Sequence, residues 1–290
     1  MKMKVHVKLP ERGIVAISGP TARDFLQGLI TNDIGRVSPT CAIYAALLTP
    51  QGKFLHDFFI VEHKDRLLLD CRRDRIPDLI KRLTMYRLRS KVEIGDESDK
   101  WEVGVMLAAG EAGEPQPAGT AKTRFDGVSY IDPRHAGMGE RTIRLVDEDD
   151  TFPTDTVQLE KNRASYDALR ISLGIPDTGA DLIAEKSMPL ESGFDELQGV
   201  DFEKGCYVGQ EVTARMKHRK LVKKRLFPIT FEGEIAPGTV VKAGDVDAGD
   251  VRSAVEGRGI ALLRLDLAEK GGLSADGIAV TAEKPDWADF

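Results

Sequence analysis

The sequence has no apolar run of about 18 residues, the length that a membrane-crossing helix needs, so such a span is excluded. Its first residues, MKMKVHVKLPERG, lack an apolar stretch and a small-residue cleavage site, and no signal peptide is predicted. Cysteine is scarce: Cys41, Cys71 and Cys206 lie far apart. An odd, sparse set argues against a disulfide scaffold and for a reducing compartment. No CxxC or HxxxH pair occurs, which leaves no self-contained zinc site of the usual spacing. There is no internal repeat and no low-complexity tract. A positive balance is missing too. The net charge is −6, whereas a dedicated nucleic-acid binder is normally basic. What is present is 290 residues, 41% of them hydrophobic. Chains above ~250 residues usually divide into two or more domains.

The pattern along the chain predicts α+β structure, with helices on one face of a mostly antiparallel sheet. A strand over 13–18 leads into a helix through Ser18-Gly19-Pro20-Thr21, with Asp24 placed for a capping box and Thr31-Asn32-Asp33 ending the helix. Strands over 42–48 and 54–62 flank the turn Pro50-Gln51-Gly52 and read as a hairpin, and 66–70 extends the sheet. Ile76, Leu79, Ile80 and Leu83 recur at i, i+3, i+4 and i+7, which predicts an amphipathic helix over 74–88. Further strands are expected over 91–94, 101–107, 128–132 and 141–145, with a Gly/Pro/Ala-rich loop over 108–119 and an acidic turn over 147–150. A helix over 165–173 ends at Gly174-Ile175-Pro176. From Leu226 onward, short apolar runs alternate with Gly/Asp turns, the texture of a small antiparallel barrel or sandwich.

The densest local signal is Lys204-Gly205-Cys206-Tyr207-Val208-Gly209-Gln210-Glu211. Two glycines flank a cysteine, and glycine permits left-handed backbone and close approach by a ligand. A helix over 212–219 follows. Cys206 is thus expected just before a helix start, with Lys204 nearby, and both features favour thiolate. The plain alternative is a buried structural thiol, the usual state of a free cysteine. For Cys41 and Cys71, in apolar strand contexts, that alternative is the stronger.

Arg215 to Arg225 (RMKHRKLVKKR) holds seven Lys/Arg, one His and no acid. Without those seven cations the chain would carry −13. A patch this concentrated suits phosphate, polyglutamate or RNA. A solvated helix end, complementing the helix dipole, is the simpler alternative.

KGCYVGQE followed by Thr213-Ala214-Arg215 resembles the signature of the YgfZ group, folate-binding-like proteins related to the glycine-cleavage T protein. Supporting stretches are Gly19-Pro20, Phe25-Leu26-Gln27-Gly28, Thr31-Asn32-Asp33, Leu47 to Lys53, Leu169-Arg170 and Gly174-Ile175-Pro176. Pro189-Leu190-Glu191 and Lys224 to Pro228 resemble the branch that includes the mitochondrial iron–sulfur assembly factor. The resemblance implies a three-lobed aminomethyltransferase-like fold with a central channel. Two ferredoxin-like α+β lobes would be interleaved, one over 1–45 with about 125–222, carrying the KGCYVGQE motif, and one over 46–124. A C-terminal β-barrel would occupy 223–290.

The resemblance also frames the function. An aminomethyl or one-carbon transferase on tetrahydrofolate needs carboxylates. The transferase pattern has paired aspartates where this chain has His56-Asp57, and a glutamate where it has Ser172. That points to Asp57 as the remaining catalytic candidate. Lys204, Gly205, Tyr207, Gln210, Glu211 and Arg215 are the candidate folate or anion contacts. His56 by itself reads as a satisfied polar residue. The favoured reading is a factor for iron–sulfur cluster assembly or repair through Cys206. A [2Fe–2S] cluster takes four ligands, so Cys206 would be one ligand of a cluster shared with an assembly scaffold or carrier protein, or would act by thiol chemistry. A link to tRNA modification is expected to be indirect, since only Tyr207 is near the basic run as a stacking residue. The expected location is the cytoplasm, or the mitochondrial matrix in a eukaryote.

Overall fold

The computed structural model describes residues 5–107, 116–124, 126–146 and 156–290. Most of the expected loop over 108–119 and the acidic turn over 147–150 lie outside these residues. The chain forms two compact units. The first comprises residues 1–48, 56–166 and 198–208. The second comprises 49–55, 167–197 and 209–290.

In chain order, the elements built mainly in the first unit are β1 (Val5–Lys8), β2 (Arg12–Ser18), α1 (Ala22–Gln27), β3 (Ile43–Leu48), β4 (Phe54–His63), β5 (Arg66–Arg72), α2 (Ile76–Arg87), β6 (Glu93–Asp96), β7 (Trp101–Leu107), β8 (Ala121–Arg124), β9 (Gly127–Ile131) and β10 (Glu140–Leu145). They make two five-stranded sheets, ordered β1-β7-β10-β9-β8 and β3-β4-β5-β2-β6. Helix α2 lies where the apolar spacing put it, burying Ile76, Leu79 and Leu83. Helix α1 is shorter than predicted: it stops at Gln27, and Thr21 makes no side-chain capping bond. Leu29 and Ile30 are buried beyond the helix end.

The two sheets face each other across a charged interior. Asp70 on β5 accepts from Arg12 Nε at 2.6 Å, from Arg141 Nη2 at 2.6 Å and Nε at 3.2 Å, and from the Tyr130 hydroxyl at 3.0 Å. Asp132 binds Arg134 through both oxygens. The Tyr44 hydroxyl donates to Asp57 at 2.9 Å. The Phe59 ring sits among the guanidiniums of Arg12, Arg134 and Arg141, at 5.5, 4.8 and 4.2 Å. All these side chains are buried. Burial pushes the Asp70 and Asp132 carboxyls up, but the arginines overcome it and hold both below their ordinary value.

Along β4 the side chains alternate between faces. Asp57 joins the charged layer, while His56 turns to α2 and meets Asp78 at 2.9 Å. Burial pulls the His56 imidazole down to about 4, against the Asp78 bond. At neutral pH it is uncharged and, facing an acceptor-only carboxylate, donates through Nε2. The unfolded chain therefore binds more protons between pH 4 and 6.5, and stability is expected to fall by about 3 kcal/mol as pH drops through that window. Urea unfolding from pH 7 to 4.5 checks this. His56→Gln keeps a donor but cannot titrate, and should flatten the profile between these limits. An equal slope in the variant would assign the effect elsewhere.

Helix α2 ends at Leu88 with φ 40° and ψ −108°, and this side chain is 88% exposed. Such a conformation in a bulky residue costs about 1–3 kcal/mol.

Helices α3 (Thr156–Ser172) and α4 (Gln210–His218) follow, and six strands close the barrel of the second unit. These are β11 (Lys224–Phe231), β12 (Val240–Ala243), β13 (Val246–Val255), β14 (Arg258–Arg264), β15 (Leu273–Ala275) and β16 (Ile278–Ala282), in the order β11-β14-β13-β12-β15-β16. Ala248, Ala261 and Ala275 fill the interior beside Phe227, Ile229 and Leu263, the small-with-large packing that a tight barrel needs. In the same unit, Asp181 accepts from Arg170 and Ser253, each at 2.7 Å, tying the end of α3 to β13. Among the described residues no helix is long and apolar enough to cross a membrane.

Candidate functional site

Cys206 is exposed, Cys71 is buried in β5, and Cys41 is intermediate; all three are free. Burial pushes the Cys71 thiol far above its ordinary value, and it is chemically silent. Cys206 is therefore the thiol that solvent and a partner reach most readily.

Its loop is held by a set of bonds to residues 27–32, all within the first unit. Lys204 Nζ donates to the carbonyls of Gln27, Ile30 and Asn32 at 2.8, 2.6 and 3.0 Å. Helix α1 ends at Gln27, and these carbonyls are the acceptors left over where the chain turns. Thr31 Oγ1 donates to Gly199 O at 2.6 Å and accepts from Ala46 N at 2.8 Å. Asn32 Nδ2 donates to Tyr44 O and Gln198 O at 2.8 and 2.7 Å. Asp201 N donates to Thr31 O, and the Asp201 carboxylate accepts from the amides of Glu203 and Lys204. The segment leading to Cys206 is thus fixed by backbone and buried side chains, while the thiol stays outside.

Lys204 has a different task from the one expected. An ammonium has three donors, and three carbonyls take them. It anchors the loop instead of meeting an anion. Burial pulls it down to about 8, while Asp33 and Asp201 act in the opposite direction. Tyr207 is buried as well, with Lys204 Nζ 5.1 Å from its ring centre, so it offers no stacking face to a base. The glycines divide. Gly209 needs its left-handed φ of 86° as the residue before α4. Gly205 has no positive φ, and a Cβ there would meet nothing within 4 Å. In the second unit Gln210 opens α4, and Glu211 pairs with Arg215 at 2.5 Å on the solvent face. The basic run is partly neutralised there: Lys217 pairs with Asp195 and Arg225 with Glu196.

Asp57 is buried under the Tyr44 hydroxyl, inside the charged layer of the first unit. Ser172, at the position of the transferase glutamate, spends its hydroxyl on Leu169 O. These residues do not fit the carboxylate set of a folate-dependent transferase. Among the described residues no group of three or more His, Cys, Asp or Glu is placed to hold a metal ion. Reading the sequence missed the anchoring residues Thr31, Asn32, Gln198 and Asp201. Thr31-Asn32-Asp33 carried a signal, but it read as a helix stop.

Comparisons with known proteins define the class first. The glycine cleavage system aminomethyltransferase T from Bartonella henselae superposes with a TM-score of 0.76 at 13% identity, covering 98% of this chain and 86% of that one. The chain has the aminomethyltransferase-like α+β fold. Residues 223–290 match the C-terminal beta-barrel domain of CAF17. The mitochondrial iron–sulfur cluster assembly factor IBA57 of Mus musculus is 33% identical, over 97% of this chain and 84% of that protein. The Homo sapiens protein of the same name is 33% identical with the same coverage. The IBA57 homolog of Neurospora crassa is 34% identical over 78% of this chain, which spans only 54% of that longer protein. The chain belongs to the IBA57 family of iron–sulfur cluster assembly factors.

Proposed function

We propose that the chain acts in iron–sulfur cluster assembly or repair, with Cys206 as its working group. The observation that carries this reading is an exposed thiol on a rigidly anchored loop, in a protein whose would-be transferase carboxylate is sealed away. A soft thiolate is the ligand that iron–sulfur clusters take. With one such thiol, the chain handles the cluster as cargo together with a scaffold or carrier that supplies the remaining ligands. The family names agree with that role. Its compartment is a reducing one, cytoplasm or matrix, consistent with three free cysteines. Any connection to tRNA runs through the iron–sulfur enzymes that modify it. The lobe division 1–45 with about 125–222, 46–124 and 223–290 is part of the same reading.

Deleting the chain tests the role. Activities of several iron–sulfur enzymes, assayed in extracts at equal enzyme protein, are expected to fall severalfold and to recover when the chain is restored. Unchanged activities in the deletion strain would remove the assembly role.

A further inference from the structure

The first unit carries a second exposed feature that the thiol does not explain. At the end of α2, Met85, Tyr86 and Leu88 are 67%, 40% and 88% exposed. Leu88 is held outward by a backbone conformation that bulky side chains avoid. Beside it lies an open groove of about 840 Å³, lined by Thr21, Asp24, Phe25, Leu88, Arg89 and Ser90. Arg87, Arg89 and Lys91 are exposed around this apolar group. Among the described residues none of the three is in an ion pair, although arginines nearby are paired, Arg82 with Asp78 and Arg23 with Glu62. An unneutralised cationic rim around a projecting apolar side chain, on a chain of net charge −6, is complementary to an acidic surface with an apolar socket.

We propose that the Leu88 knob and its groove form the docking surface for an acidic partner protein, whose apolar socket receives Leu88 and whose carboxylates face Arg87, Arg89 and Lys91. Resting on the assembly reading, the partner is the scaffold or carrier that shares the cluster at Cys206. Helix α1 links the two features. Phe25 lines the groove, and two residues on, the Gln27 carbonyl is gripped by Lys204, two residues before Cys206. Summed along that path, Phe25 and Cys206 are at most about 24 Å apart. A standard interface covers roughly 800 Å² per partner, about 30 Å across, so a single partner is wide enough to reach both.

The test uses the full chain and the iron–sulfur scaffold and carrier proteins of the same cell, purified and presented singly in a biolayer binding assay. At least one is expected to bind. Leu88→Gly is expected to weaken that binding at least tenfold, with a melting temperature equal to or above wild type because the strained backbone is relieved. Arg87→Glu/Arg89→Glu is expected to weaken it at least as much, and added salt to weaken the wild type. If a partner binds but both surface variants stay within twofold, the docking proposal is overturned and the assembly reading stands. If the surface variants lose binding while deletion of the chain leaves iron–sulfur enzymes active, docking stands and the assembly reading falls. The proposal is also overturned if none of these proteins binds, if only anionic vesicles or RNA bind, or if Leu88→Gly instead dissolves a dimer of this chain in sedimentation.

Discussion

Cys206→Ser is expected to abolish support for iron–sulfur enzymes while leaving the fold intact. The side chain is exposed, so the exchange removes no packed atoms, and stability should stay within about 0.5 kcal/mol of wild type. Chemically the exchange is drastic. A hydroxyl is a poor ligand for a thiophilic iron site and, near neutral pH, a far weaker nucleophile than thiolate. The informative control is Asp57→Asn. An aminomethyltransferase would be crippled by it. In this structure the Asn carbonyl still accepts from Tyr44, and a cysteine-centred factor should keep its function at matched protein levels. Iron–sulfur enzyme activity in a strain carrying each variant reads out both. Loss with Cys206→Ser and retention with Asp57→Asn supports the thiol mechanism. The reverse would sink it and restore one-carbon transfer as the leading function. Loss with both would couple the carboxylate to the thiol.

Asp70→Ala should be the most destabilising of the single substitutions proposed. The carboxylate lies between Arg12 and Arg141 with no exposed surface. Its removal leaves two like charges in the interior and strips the Tyr130 hydroxyl of its acceptor. Breaking a buried pair in this way costs about 3–5 kcal/mol. Total stabilities are only about 5–15 kcal/mol, so the variant should be largely insoluble or melt many degrees lower. Asp74→Ala is the comparison, because Asp74 pairs with Arg72 at the surface and should lose at most about 1 kcal/mol. Urea midpoints at pH 7 give both values. A loss below about 1 kcal/mol for Asp70→Ala would mean that the charged layer is hydrated and dispensable.

That layer is also where reading the sequence stopped short. Arg12, Asp70, Asp132, Arg134 and Arg141 are spread over 130 positions with nothing local to mark them. Each looks like a solvated strand charge until the sheets are stacked, and the register of β2, β5, β9 and β10 turns them inward together. Asp57 is the same case: its neighbours Phe58-Phe59-Ile60 allowed burial, but only the facing sheet and Tyr44 decide it.

What the sequence determined by itself is what depends on short-range periodicity and composition. Ile76, Leu79 and Leu83 fix the α2 face, because a 3.6-residue repeat is a local property. Alternating apolar runs after Leu226 fix the all-β end, and the KGCYVGQE octet singles out Cys206 among three cysteines. Tertiary structure alone decided that Lys204 grips carbonyls more than 170 positions away instead of facing the thiol. It likewise turned Tyr207 inward, and it left Leu88 exposed just past the end of α2. Each depends on which distant backbone ends with unsatisfied acceptors, or with an open face, beside the residue. Folding creates that information, and no window of sequence contains it.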